Sequence, residues 1–173
     1  WYGRPQKPFA VMVRDTDAVK KYGNPTEAEL SAMTSPHRPI VLVDKNNIPE
    51  SVAPGLDNVG MFLPYTGMQH LLFDHLDDDI LIMTSANPPG EPMLTDDSDV
   101  MEMEADMYLL HNRDIVNRAD DSVLRMYGSR MFYLRKSRGS IPSFIESMGM
   151  DGSVIGIGAQ ENLSGAVSGN GRI

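Results

Sequence analysis

The chain has 173 residues, a formal net charge of −9, 41% hydrophobic residues and no cysteine. Disulfides and thiolate metal sites are therefore excluded, and a generally acidic surface argues against avid, non-specific binding to nucleic acid. No apolar run reaches the ~20 residues that span a bilayer and no signal peptide is visible, so the expected location is the cytoplasm, with no membrane partner.

Residues 1–6 are polar and turn-like, and Trp1 in place of an initiator Met suggests a piece of a longer chain. Residues 7–13, led in by Pro8, read as a strand. Asp15 signals the cap of a helix over residues 18–22, and Thr26 the cap of a second helix with Leu30 and Met33 on one face. Pro36 and Pro39 break that helix, and Ile40-Val41-Leu42-Val43 is a buried-strand candidate. A loop over residues 52–57 leads to a short strand from Val59, closed by Pro64. Residues 67–76 predict a helix with Leu71, Leu72 and Leu76 inward, ended by Asp77-Asp78-Asp79.

Ile80-Leu81-Ile82-Met83 reads as a strand buried on both faces. Pro88-Pro89-Gly90 forbids its continuation, so Thr84, Ser85 and Asn87 fall just past its carboxyl end. Ligands bind there in open α/β sheets, although the same side chains also suit a plain polar turn. Residues 92–103 are acidic and predict a capped helical segment, and 107–111 form another apolar run. Residues 121–127 alternate as a strand, turn at Ser129-Arg130 and pair with residues 131–135. Residues 136–139 leave as a basic loop. Beyond a boundary near residue 150 the chain is rich in Gly, Ser and Asn, and Val154 begins what reads as a strand of something new. Interleaved helices and strands with late hairpins predict an α/β fold with mixed strand directions. The thirteen methionines are scattered among apolar neighbours and read as soft core filler.

The cations are unevenly placed. Arg113, Arg118, Arg125, Arg130, Arg135, Lys136 and Arg138 cluster against Asp114, Asp120 and Asp121, and Arg4 and Lys7 add to them. Such a set suits a compact polyanion such as a nucleoside triphosphate, or simply solvates strand edges. There is no Walker loop, no GxGxxG after a strand and no HExxH. His37, His70, His75 and His111 lack zinc-type spacing, and the Asp77–Asp79 run reads as a solvated helix end, so no metal ligand is assigned.

Six segments, in order, resemble the YrdC-type nucleotide-binding domain, and specifically its version in HypF-type hydrogenase-maturation carbamoyltransferases. They are Gly3-Arg4-Pro5-Gln6-Lys7-Pro8-Phe9; Ser35-Pro36-His37-Arg38-Pro39-Ile40; Leu63-Pro64-Tyr65-Thr66; Thr84-Ser85-Ala86-Asn87; His111-Asn112-Arg113-Asp114 with Asp120-Asp121-Ser122-Val123; and Arg135-Lys136-Ser137-Arg138-Gly139. Gly156-Ile157-Gly158-Ala159-Gln160-Glu161-Asn162-Leu163 resembles the opening of the Kae1-like transfer domain that follows in those proteins. The resemblance implies a YrdC-like twisted mixed sheet flanked by helices, incomplete at its N-terminus, over residues 1–148, and the start of a Kae1-like domain over residues 149–173.

It further implies that ATP and carbamoyl phosphate yield carbamoyl adenylate, with carbamate oxygen attacking the α-phosphorus and Mg²⁺ neutralising pyrophosphate. The carbamoyl group then passes to a C-terminal cysteine of a partner maturation protein and becomes the cyanide ligand of nickel–iron hydrogenase. By the same resemblance Arg4, Lys7, Ser85 and Asn87 are the catalytic set. Thr84, Ser122, Arg125, Arg135 and Arg138 would hold the nucleotide. The family usually carries a basic residue two before Arg4, where Tyr2 stands here. Two other readings are a threonylcarbamoyl-adenylate synthase acting in tRNA modification and a non-catalytic module for double-stranded RNA.

Overall fold

The computed structural model of the chain describes residues 8–144, 153–157 and 165–168. The chain falls into two units, residues 1–84 with 121–141 and residues 85–120 with 142–173.

The first unit carries strands β1 (Ala10–Val13), β2 (Ile40–Asp44), β3 (Asn58–Phe62), β4 (Ile80–Met83), β5 (Val123–Tyr127) and β6 (Arg130–Arg135), with helices α1 (Thr16–Tyr22), α2 (Glu27–Thr34) and α3 (Gly67–Asp74). The strands form one sheet in the order β4-β1-β3-β2-β5-β6. β1 runs parallel to β3 and β2 parallel to β5, while the β1–β4, β2–β3 and β5–β6 pairs are antiparallel. The expected mixed α/β sheet is therefore present.

The helices start where their caps are. Asp15 Oδ1 accepts from the Asp17 and Ala18 amides at 3.0 and 2.9 Å. Thr26 with Glu29, and Thr66 with Gln69, form reciprocal capping boxes at the starts of α2 and α3. α1 and α2 cover one sheet face, burying Val19 and Met33 against Val11, Val13, Val41, Val43, Met61 and Leu124. The opposite face has a smaller cluster of Met12, Ile40 and Phe62, covered by Phe73 of α3.

Three expectations are corrected. β4 is a sheet edge rather than a strand buried on both faces, and Ile82 is 56% exposed. Four successive apolar residues do not distinguish a centre from an edge, because that depends on a neighbour supplied from elsewhere in the chain. In α3, Leu71 and Leu72 are exposed and Phe73 is the buried residue, because the helix rests on the sheet through one position only. The β5–β6 turn is Gly128-Ser129 rather than Ser129-Arg130, with Gly128 at φ +59° as the tight reversal requires.

In the Asp77–Asp79 run, Asp77 and Asp78 are exposed as a solvated end would be, but Asp79 is a latch. Asp79 accepts from Lys21 Nζ at 2.8 Å and from the Tyr22 hydroxyl at 2.5 Å. Arg14 donates to the carbonyls of Leu76 and Asp78 at 2.6 and 3.0 Å and lies over the Phe73 ring. The Lys21 and Tyr22 bonds hold the Asp79 carboxyl below its ordinary range, and the Asp79 bond raises both partners. The depressed carboxyl stabilises the fold above the ordinary aspartate range and stops doing so as pH falls through its folded pKa. The raised lysine and phenol stabilise below their ordinary ranges, and that part is lost as pH rises through their folded values. Asp79→Asn is therefore expected to flatten both limbs of the pH–stability curve, read as the urea midpoint between acid and alkaline buffers.

In the second unit, α4 (Asp97–Met101) follows a turn-rich stretch, and β7 (Val154–Ile157) pairs antiparallel with β8 (Gly165–Ser168). The strand expected from Val154 is thus a hairpin arm. Residues 107–116 contain no helix or strand, and Met107, Leu109 and Val116 are exposed.

Candidate functional site

The registers fix two distinct places on the six-stranded sheet. β2 and β5 begin, and β1 and β3 finish, at the same end. The segments that enter or leave the sheet there include the 35–39 loop, Tyr65, the Asp121-Ser122 pair and the basic loop after β6, besides Arg14 and Asp79 at the β1–β4 edge.

Arg138 joins the first three. Its Nε and Nη2 both lie 2.7 Å from Asp121 Oδ1, Nη2 donates to the Arg38 carbonyl at 2.9 Å, and Nη1 to the His37 carbonyl at 3.4 Å. The guanidinium carbon stacks 3.7 Å from the centre of the Tyr65 ring. A planar fork with five donors is needed to do all this at once. Partial burial, and then the Asp121 carboxylate, raise the Tyr65 phenol above its ordinary value.

Ser122 is fully buried and sews the same junction. Its hydroxyl donates to the Arg138 carbonyl and accepts from the Ser137 amide, each at 2.9 Å. Arg135 Nε donates to the Asp121 carbonyl at 2.8 Å. Gly139 has φ +78°, and its α-carbon approaches His37 so closely that a Cβ would lie 2.8 Å from the His37 carbonyl.

The second place is the sheet face opposite α1 and α2. Cross-strand partners share a face, so Met83, Ala10, Gly60, Leu42, Arg125 and Phe132 form one row across all six strands. A bulge between Val123 and Leu124 puts Arg135 opposite Val123 on this same face. Arg125, Tyr127, Phe132 and Leu134 line an open hollow of about 440 Å³. Among the described residues Arg125 makes no hydrogen bond or ion pair. An unpaired guanidinium on an apolar floor can take an anion attached to a planar group.

Of the residues expected from the sequence, Ser122, Arg135 and Arg138 thus meet at one sheet end, and Arg125 lies on the open face. β4 finishes level with Ala10, so Thr84 leaves from the opposite end of the sheet. Ser85 and Asn87 belong to the second unit. There the Ser85 hydroxyl donates to Asn87 Oδ1, and Asn87 Nδ2 donates to the carbonyls of Pro88 and Glu91 at 3.1 and 2.9 Å. These bonds shape the loop around Gly90, at φ +83°. Arg4 and Lys7 lie outside the described residues, as does the boundary at residues 148–149.

Sequence reasoning missed Tyr65, Asp121 and the carbonyls of the 35–39 loop. A signal existed for Asp121: it lies two residues before β5, Arg138 lies three after β6, and the two ends of a hairpin lie side by side.

The mixed six-stranded sheet, with α1 and α2 on one face and α3 on the other, is a YrdC-like α/β fold. The chain belongs to the Sua5/YciO/YrdC family, whose profile, described as "Telomere recombination", matches residues 2–137. Among curated relatives it is 43% identical over 166 residues to the carbamoyltransferase HypF of Rhizobium leguminosarum bv. viciae, covering 89% of this chain and 22% of that protein. It is 36% identical over 173 residues to the probable carbamoyltransferase HypF of Methanocaldococcus jannaschii, covering 95% of this chain and again 22% of the relative. The chain thus spans about a fifth of the length of these relatives. Among solved structures, HypF of T. kodakarensis superposes with a TM-score of 0.88 at 40% identity, covering 99% of this chain and 23% of that one. A full-length HypF in a phosphate- and nucleotide-bound form superposes at 0.79 with 39% identity, covering 88% of this chain and 25% of that one. Escherichia coli YciO, at 15% identity, a TM-score of 0.64, and coverage of 80% of this chain and 70% of that one, shares the fold. Among the described residues no helix is long and apolar enough to cross a membrane.

Proposed function

We propose that this chain is the adenylate-forming part of a HypF-type carbamoyltransferase. The observation that carries the proposal is the 0.88 superposition, at 40% identity over 99% of the chain, on a HypF. The nucleotide-bound state of a second HypF supports ATP as the substrate. Carbamoyl phosphate is first hydrolysed to carbamate and phosphate. Carbamate oxygen then attacks the α-phosphorus of ATP, the bond to the bridging oxygen breaks, and pyrophosphate leaves with carbamoyl adenylate formed. A thiol of the partner maturation protein's C-terminal cysteine takes the carbamoyl group and releases AMP, for later conversion to the cyanide ligand of nickel–iron hydrogenase.

Little covalent work falls to the protein, so positioning and charge dominate. Arg125 meets the phosphates from the open sheet face, and by the family resemblance alone Arg4 and Lys7 take phosphate or the carbamate carboxylate. Ser85 contacts carbamate from the loop that Asn87 shapes, and Thr84 leads into that loop. Ser122, Arg135 and Arg138 hold the nucleotide side of the sheet in form. Mg²⁺ would arrive with the nucleotide, as the counter-ion of its phosphates. Residues 1–148 make up the adenylation domain and residues 149–173 open the transfer domain, in the cytoplasm.

The test is exchange of labelled pyrophosphate into ATP, with the chain carried in a polypeptide of its relatives' full length. Exchange that requires carbamoyl phosphate is expected. Exchange that requires threonine and bicarbonate would replace this reading with threonylcarbamoyl-adenylate synthesis. No exchange, with salt-sensitive binding of duplex RNA, would replace it with an RNA module. Arg125→Ala is expected to lower kcat/KM for exchange by about ten- to thirtyfold. Its urea midpoint should match wild type, because the side chain is exposed.

A further inference from the structure

We infer that Arg38 is a phosphate-binding residue and that Arg138 is the positioning residue that presents it. Only the source of the phosphate rests on the function proposed above. Two non-glycine residues among those described have positive φ, Arg38 at +44° and Asn47 at +51°. Asparagine is favoured in that region, and Asn47 Nδ2 donates to the Lys21 carbonyl at 3.3 Å. Arginine has no such advantage, and Pro39 after it narrows its backbone further. A turn alone would take Gly or Asn at this position. An arginine held there against its backbone preference points to a use for its side chain.

The backbone of Arg38 is secured from three directions. Its amide donates to the Ser35 carbonyl at 3.0 Å, its carbonyl accepts from Arg138 Nη2 at 2.9 Å, and the neighbouring His37 packs on Gly139. Its guanidinium is not used in any of this. Among the described residues the Arg38 side chain has no hydrogen bond and no ion pair. Asp121 is engaged with Arg138 at 2.7 Å and forms no ion pair with Arg38. A half-buried, unpaired planar fork matches the oxygens of a phosphoryl group. That group belongs to a nucleoside triphosphate or to carbamoyl phosphate.

The test is calorimetric titration of inorganic pyrophosphate and, separately, carbamoyl phosphate into the full-length protein and its Arg38→Gly and Arg38→Lys variants. Glycine relieves the left-handed backbone, so the Arg38→Gly urea midpoint should equal or exceed that of wild type. Its affinity for one of the two ligands should nonetheless fall by about tenfold or more, with Arg38→Lys in between. Weakened pyrophosphate binding assigns Arg38 to the nucleotide, and weakened carbamoyl phosphate binding alone assigns it to that substrate. Arg138→Lys should weaken the same ligand, with little further loss when combined with Arg38→Gly. The inference is overturned if Arg38→Gly binds both ligands as wild type does, or if wild type binds neither. Absence of pyrophosphate exchange removes the proposed function and leaves these titrations readable, so the two failures are separable.

Discussion

Arg138→Leu is expected to destabilise the six-stranded unit by about 3 kcal/mol, measured by urea denaturation. The side chains of Arg138 and Asp121 are 24% and 23% exposed, so the loss sits at the low end for a buried pair whose one partner is removed. Asp121 would keep its charge without its main counter-ion. The His37 and Arg38 carbonyls would lose their donors, and Tyr65 would lose the group stacked on its ring. Arg138→Lys restores the charge without the fork, and should recover less than half of the loss. Removing both charges in Arg138→Leu/Asp121→Leu should cost less than Arg138→Leu alone, because no charge is then left unpaired. A double variant worse than the sum of the singles would show that the pair is not what holds this junction.

Gly139→Ala is the second large effect, also about 3 kcal/mol. At φ +78° an L side chain is strained wherever it stands, and here the added Cβ would lie 2.8 Å from the His37 carbonyl oxygen and 3.1 Å from the His37 α-carbon. Those atoms are backbone, so relief requires the 35–39 loop to move and Arg138 to release it. Gly128→Ala is the control. Gly128 has φ +59° but open space around it, so that variant should cost only the backbone part, about 1 kcal/mol. Equal midpoints for the two variants would mean that the contact with His37 carries no energy.

Much of the fold could be read locally. Asp15, Thr26 and Thr66 mark helix starts because a cap is a bond between a side chain and amides two or three residues on. The β5–β6 hairpin was legible from alternation, though its turn lay one residue earlier, where Gly128 supplies the positive φ. The strand Ile80-Leu81-Ile82-Met83 was legible as a strand but not as an edge.

The candidate site divides along the same line. Residue types were available in advance: hydroxyls and an amide after β4, guanidinium groups within β5 and β6 and in the loop after them, and motifs resembling one family. Their partners were not. The order of residues places Asp121 and Arg138 at one end of a hairpin, but it does not say that Arg138 also takes the carbonyls of residues 37 and 38, nor that Arg125 and Arg38 are among the described cations left unpaired. A sequence carries caps, turns and alternation because those forces act between near neighbours. Which of several arginines is neutralised depends on groups about a hundred positions apart in the chain, such as Arg38 and Arg138, and only the closed sheet brings them within hydrogen-bonding distance.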